Sequence, residues 1–396
     1  MVEISRERSV HVFIFEPRVD GHHIGYLKVI TEELVGAGYR LTLAVNTNPE
    51  PYAQIRMAMA DILGRVSIIS ATDGSNGGAT IGRIAALFSQ TQADLAFLPN
   101  FDEIGSAILR RAAFGLMPPA QLRGRLGGIY HRPRFLDALG LSLNLHLKAA
   151  GFARLLHGAY FSHLLLLDPY LQAKLKRREP DAPAFFLPDF FPADFTADRA
   201  AVRRQLDLPE NQRVFLFYGA GYRRKGLGLA VQAMLATADD TPAFLLYAGR
   251  QAASREVAQG LEELVSRGRA RIINRYITNE EEKGLFAASD IVLLPYREHF
   301  GISGVLMRAI GAGLPVIVPD EELLGRLTRE RGFGILFQPG DVRALQRAIE
   351  RAARASPQDM ARWQAAVRAD ASNWTRRAFR DVLIASLNDA AGRLNL

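Results

Sequence analysis

From Ser289 to Val318 the chain runs apolar segment, polar loop, amphipathic segment, apolar segment, an order that few folds accommodate. Ile291-Val-Leu-Leu294 is short and lacks polar alternation, the pattern of a parallel strand covered on both faces. Pro295 ends it, because proline has no amide to give to a ladder. The loop Tyr296–Ser303 is polar and carries Gly301. A helix is expected next, with Val305 and Ile310 toward a core, closing at Gly313 with Pro315 just beyond. Val316-Ile-Val318 is the following strand. In such a unit, ligands lie outside the carboxyl end of the first strand. The amides of Ser303, Gly304 and Val305 would be free at the helix start, where the dipole favours a phosphate.

The same alternation recurs along the chain. Val10–Phe15 reads as a strand, followed by a helix from about His23 to Val35 with Ile24, Leu27, Ile30 and Leu34 on one face. Leu41–Val45 is the next strand. The turn Asp20-Gly-His-His-Ile-Gly25 holds Gly21, which either lets a ligand approach the backbone or only tightens the turn. Further strands are expected at 66–69, 95–98, 128–130 and 164–167, and helices at 80–90, 103–113 and 133–157. The extended, proline-bracketed segment Phe185–Pro192 marks a domain boundary. A second series follows, with strands at 214–218, 244–247, 270–273, 291–294 and 316–318 and helices at 226–237, 252–267, 280–288 and 304–312. After Val342–Arg354, the amphipathic stretch Trp374–Leu387 could cross back to the first domain. The expected fold is α/β, two Rossmann-like parallel-sheet domains facing across a cleft. Their bounds are 1–192 and 193–373, with 374–396 as a returning helix, and 396 residues suffice for two cores.

Composition removes several classes. There is no cysteine, hence no disulfide, thiolate metal site or cysteine nucleophile. The adjacent pair His22-His23 projects in different directions, so no metal site is expected. The first glycine turn lacks G-x-G-x-x-G, which disfavours a dinucleotide-dependent dehydrogenase. The formal charge of +8 rests almost wholly on arginine, with only six lysines, and suits nucleic acid, anionic lipid or phosphorylated ligands. No arginine-rich helix interleaved with aromatics occurs, so nucleic acid is not expected as a partner. The start MVEISRERSVHVFIFEP has an apolar run too short for a signal peptide. No run approaches the roughly 20 apolar residues of a membrane span. A cytoplasmic location is expected. The basic, leucine-rich stretch Arg134–Leu156 has two readings: an ordinary amphipathic helix, or peripheral contact with the inner membrane surface.

The strand ending at Tyr218 is followed by Gly-Ala-Gly-Tyr-Arg-Arg-Lys-Gly226. Two glycines permit a sharp turn, and Arg223, Arg224 and Lys225 place cations at the carboxyl end of a strand. That arrangement suits a diphosphate, arginine binding as a fork and lysine as a point charge; otherwise it is a solvated basic turn.

This glycine turn closed by Lys225-Gly226, then Phe286-Ala-Ala-Ser-Asp-Ile-Val-Leu-Leu-Pro-Tyr-Arg-Glu298, then Ser303-Gly-Val305 and Gly311-Ala-Gly-Leu-Pro-Val-Ile317, resembles glycosyltransferase family 4, of the GT-B fold. Residues 214–340 carry the specific part, and the first 190 match in pattern. The resemblance implies transfer of a sugar from a nucleotide diphosphate donor, such as a UDP- or GDP-sugar, with retention and without a bound metal or other cofactor. It implies a saccharide, lipid-linked or small-molecule acceptor against the first domain and the nucleotide against the second. By position, Lys225 with Arg223 or Arg224 would hold the diphosphate, joined by the amides of Ser303, Gly304 and Val305. The base would lie near Tyr276 and Ile277, and Gly21 would approach the donor. His131, in Gly-Gly-Ile-Tyr-His-Arg-Pro133, resembles the family's histidine beside the sugar, and Glu298-His-Phe-Gly301 its E-x-F-G.

One position departs from the pattern. The resemblance implies two glutamates separated by seven residues, and counting back from Gly313 puts the second, which holds the ribose, on Arg308. A guanidinium has only donors and cannot accept two hydroxyl bonds. Two expectations therefore stand, a sugar transferase with an altered nucleoside site and a non-catalytic relative acting as a binding or partner subunit.

Overall fold

The computed structural model describes residues 9–19, 23–71, 77–137, 140–191, 194–250 and 254–396. The chain divides into two compact units, Met1–Leu187 with Phe379–Leu396, and Pro188–Ala378. Gly21 and the expected boundary at 192/193 lie outside the described residues.

The first unit is built on seven parallel strands: β1 (His11–Glu16), β2 (Arg40–Val45), β3 (Ser67–Ser70), β4 (Leu95–Leu98), β5 (Leu126–Tyr130), β6 (Phe161–Leu166) and β7 (Ala184–Phe186). Their order is β3-β2-β1-β4-β5-β6-β7, so the winding reverses between β1 and β4. Val12, Phe13, Ile14 and Phe15 are each no more than 2% exposed, because helices cover both faces. Ile14 sits opposite Leu43 on one side and Phe97 on the other.

One expectation is corrected here, and the units divide at Leu187/Pro188, inside the segment read as a boundary. The helix foreseen over 133–157 is a short turn, Arg134–Leu136, and a separate helix, Leu143–His157. Gly140 takes φ +48°, and the Ser142 hydroxyl accepts the Leu145 amide at 3.4 Å, so a new helix starts there. The segment read as a boundary begins with β7, where Ala184 pairs with Leu164; three residues are too few to show a period. From Phe379 on, the helix Arg376–Arg393 packs in this unit, burying Phe379, Leu383 and Leu387. Its Asn388 accepts the Tyr39 hydroxyl at 2.5 Å.

The second unit holds six parallel strands: β8 (Arg213–Tyr218), β9 (Ala243–Ala248), β10 (Ala270–Ile273), β11 (Ile291–Leu293), β12 (Val316–Pro319) and β13 (Gly334–Phe337). The order β10-β9-β8-β11-β12-β13 reverses between β8 and β11. Strand β13 was not expected. It opens on Gly334, where a Cβ would stand 2.0 Å from Val316 O, so a glycine hides the strand from an apolar count. On one face Phe215, Phe217, Leu245 and Tyr247 pack with the helices Leu227–Ala236, Arg255–Ser266 and Val342–Ala353. Side chains alternate, so Tyr218 turns to the other face and meets Phe286 of the helix Asn279–Ala288 at 5.2 Å between rings.

Candidate functional site

Each sheet reverses its winding once, and in open α/β sheets ligands bind at that crevice. In the second unit the loops after β8 and β11 meet there. Gly226 takes φ +78°, and a Cβ on it would lie 1.8 Å from Pro295 O. Only glycine allows this approach, which the Arg297 amide secures by donating to Arg224 O at 2.9 Å.

The three consecutive cations part company. Lys225 Nζ donates to the Tyr296 hydroxyl at 3.1 Å, and that hydroxyl lies 3.2 Å from Ser303 Oγ. Ser303 caps the helix Gly304–Gly311, its Oγ accepting the amides of Val305 at 3.2 Å and Leu306 at 3.3 Å. The expectation that the Val305 amide is free is thus corrected: the cap satisfies it, and Ser303 and Gly304 keep the open amide positions. Arg224 Nη1 lies 2.8 Å from His299 Nδ1, and His299 Nε2 lies 3.3 Å from Ile302 O. A guanidinium only donates and a carbonyl only accepts, so His299 carries its proton on Nε2. Arg223 lines a cavity on the side of helices Leu227–Ala236 and Arg255–Ser266.

Arg308 is not alone. Its Nε lies 2.8 Å from Oε2 of the buried Glu282, and its Nη1 donates to Gly304 O at 3.0 Å. The Tyr218 hydroxyl donates to the same Glu282 oxygen at 2.5 Å, and the guanidinium stands 5.9 Å from the Tyr218 ring centre. Burial and the bond to Glu282 push the Tyr218 phenol well above its ordinary range. Sequence reasoning missed both Glu282 and Tyr218. The run Glu280–Glu282 reads only as an acidic helix start, and indeed Thr278 and Glu281 form a capping box. Of the expected base contacts, Tyr276 is 80% exposed whereas Ile277 is buried, leaving Ile277 to act through its backbone.

Glu298 stands on the exposed loop with φ +50°, a left-handed conformation that costs a non-glycine residue roughly 1 kcal/mol. Burial, and then the charge of Glu298, raise the carboxyl of Glu321 above its ordinary value. Glu321, just beyond β12, is a second missed acid at this edge.

The first unit holds its own polar cluster at the β1/β4 reversal. Asn100 Nδ2 donates to Glu16 Oε2 at 2.5 Å and lies 3.0 Å from His23 Nδ1, itself 3.1 Å from Glu16 Oε1. All three side chains are buried. Asp102, two residues on, accepts the amides of His131 at 2.5 Å and Arg132 at 2.9 Å. Desolvation nevertheless raises the Asp102 carboxyl above its ordinary value. His131 Nε2 lies 3.0 Å from Pro99 O and so carries the proton, while the Tyr26 ring meets the imidazole edge-on at 5.5 Å. His131 was expected from the sequence. Glu16, His23, Asn100 and Asp102 were not, since Glu16 and Asn100 alone stand 84 residues apart.

Two Rossmann-like parallel-sheet units, each with a polar edge at its switch point, make an α/β protein whose fold is of the GT-B type. Residues 198–370, within the second unit, match the family described as glycosyl transferases group 1. A D-inositol 3-phosphate glycosyltransferase of Salinispora tropica is 30% identical over 199 residues, 47% of this chain and 40% of that one. The Streptomyces griseus protein of the same description is 27% identical over 212 residues, 50% of this chain and 44% of that one. The matched segment thus spans less than half the length of these relatives. Among solved structures, Anabaena HepE in complex with UDP superposes with a TM-score of 0.69 at 15% identity, covering 96% of this chain and 99% of that one. A glycosyltransferase of Rickettsia africae gives 0.67 at 12% identity, covering 98% and 99%. At these identities the likeness is one of fold.

Proposed function

We propose that the chain is a nucleotide-sugar-dependent hexosyltransferase of glycosyltransferase family 4. It moves a sugar from a UDP- or GDP-linked donor to a saccharide, lipid-linked or small-molecule acceptor with retention of configuration. The observation that carries this reading is the chain Lys225–Tyr296–Ser303, which ends at the helix start beside the β8/β11 reversal. A positive side chain and open amides there suit a diphosphate. The UDP bound by the Anabaena neighbour is consistent with such a donor.

The chemistry asks little of acids and bases. Positive charge develops on the sugar as the diphosphate departs, so stabilising the leaving group supplies most of the rate. Lys225, Arg224 and the Ser303 and Gly304 amides take that task. Arg223 is left out of the donor cradle because it lines the cavity on the other face. Tyr276 and the Ile277 backbone serve the base. Arg308, held by Glu282, offers donors to the ribose, and Glu282 is the acid that remains beside it. Glu298 contacts the sugar. His131, in the first unit, has its ring oriented by Pro99 O and Tyr26 and takes its role beside the sugar by resemblance. Gly21 keeps its role only by resemblance.

A second reading, a non-catalytic relative, is favoured by one observation: Arg308 stands where the resemblance expects an acid. A thermal-shift panel of UDP, GDP, ADP and TDP with their common sugars separates the two from a failed reading. One nucleotide raises the unfolding temperature, and Lys225→Ala with Arg224→Ala abolishes the rise. No shift with any nucleotide overturns donor binding. Binding without donor hydrolysis leaves the non-catalytic reading.

Membrane contact is also part of the proposal. Phe114, Leu116, Leu141 and Leu143 are 71%, 53%, 105% and 72% exposed, near Arg110, Arg111 and Lys148. Among the described residues, no helix is long and apolar enough to cross a membrane.

A further inference from the structure

On the face of the second sheet away from Tyr218 and Arg308 there is a cavity of 340 Å³. Its wall is formed in part by Leu229, Val257 and Val342, and its cations are Arg223 and Arg297. The two arginines come from different loops, after β8 and after β11. These loops are locked together by the Arg297 amide on Arg224 O and by the approach of Gly226 to Pro295. Arg297 also reaches across the cavity: its Nη2 lies 3.9 Å from the place a Cβ on Gly340 would take, just before helix Val342–Ala353.

Neither guanidinium makes a side-chain hydrogen bond or ion pair among the described residues, and no carboxylate lines the cavity. Both guanidiniums are exposed at the cavity, where solvent screens their mutual repulsion and leaves both forks available to an anion. Three helices start at the wall, at Gly226–Gly228, at Ser254 and at Val342, and their dipoles add to the same potential. The apolar side leaves room for more than a bare phosphate.

We infer that this cavity binds a small phosphorylated molecule, its phosphoryl group held between Arg223 and Arg297 and its carbon skeleton against Leu229, Val257 and Val342. The site is separate from the donor cradle. Lys225, only two residues from Arg223, turns to Tyr296 and Ser303 instead. Because both arginines stand on the loops that carry Lys225 and Ser303, occupancy here bears on the geometry of those loops.

The test is calorimetric titration of the full chain, without nucleotide, with glucose 6-phosphate and separately with inorganic phosphate. Glucose 6-phosphate is expected to bind more tightly than inorganic phosphate. Arg223→Gln with Arg297→Gln weakens it at least tenfold, and Lys225→Gln changes it less than twofold. Arg223→Lys, which keeps the charge and loses the fork, weakens it several-fold and serves should the double variant not fold. No binding of either probe overturns the inference. So does equal affinity for the two probes, which leaves a site for the free ion alone. A loss that follows Lys225→Gln instead of the arginines also overturns it, assigning the phosphate to the donor cradle.

Discussion

Nε of Arg308 lies 2.8 Å from Oε2 of Glu282, and that oxygen also takes the Tyr218 hydroxyl. The two charges sit on neighbouring helices, Asn279–Ala288 and Gly304–Gly311, at the carboxyl edge of the sheet. An arginine at this place would be an uncompensated charge without Glu282, and a buried Glu282 would be one without Arg308. The pair is the local solution to a departure that looked in the sequence like a loss.

Breaking the pair from one side leaves a carboxylate that is only 4% exposed without its cation. Arg308→Leu is expected to destabilise by about 2 kcal/mol, below the ~3–5 kcal/mol of fully buried pairs because the arginine keeps some exposure. Adding Glu282→Leu to it recovers most of the loss. Urea unfolding of the two single variants and the double one measures the coupling. Additive losses would mean the contact carries no energy.

Asp102 fixes the segment on which His131 stands, through the amides of His131 and Arg132. Under the proposed function, Asp102→Ala lowers donor turnover at least tenfold and leaves nucleotide affinity, a property of the other unit, within twofold. Asp102→Glu recovers part of the turnover. Turnover and calorimetric nucleotide binding, read together, check this. Equal loss of both would show general damage instead.

Acid sensitivity is expected to centre on His163. Its ring is fully buried, stacks on Phe97 at 5.5 Å and 12°, and burial lowers its pKa to about 3. The folded state keeps it neutral while the unfolded chain protonates it below about 6.5. Stability from this group is therefore full above pH 6.5 and falls as pH drops toward 3, by about 3 kcal/mol near pH 4. His163→Phe keeps the stack and removes the titration. Unfolding midpoints from pH 7 to 4 should fall less steeply in the variant, and parallel curves would refute the assignment.

The exposed apolar side chains of the first unit yield a surface test. Phe114→Ser with Leu116→Ser, Leu141→Ser and Leu143→Ser is expected to lower co-sedimentation with anionic vesicles several-fold, since each removed apolar group weakens insertion. Neutral vesicles should retain little of either protein. Equal sedimentation of both proteins with anionic vesicles would remove membrane contact from the proposal.

Much of the fold was legible because its signals are local. Unalternated apolar runs, helical spacing and glycine or proline punctuation placed eleven of the strands that the two sheets contain, within a residue or a few at each end. The two missed, Ala184–Phe186 and Gly334–Phe337, are short, and the second opens on a glycine that close pairing with Val316 demands. The helix over 133–157 was overextended because Leu spacing continued through Gly140, whose φ of +48° breaks it.

The site divides along the same line. The sequence by itself determined where the chain turns at the strand ends, and so that Lys225, Ser303 and His131 stand at sheet edges. It could not tell that Arg223 turns into the cavity while Lys225 turns to Tyr296, since a tight turn closed by Gly226 sends neighbouring side chains apart. Nor could it join Glu282 to Arg308, or Glu16 to Asn100 across 84 residues. Turn and strand preferences act within a few residues, whereas a buried charge chooses its partner only after parallel strands have brought distant loops to one edge.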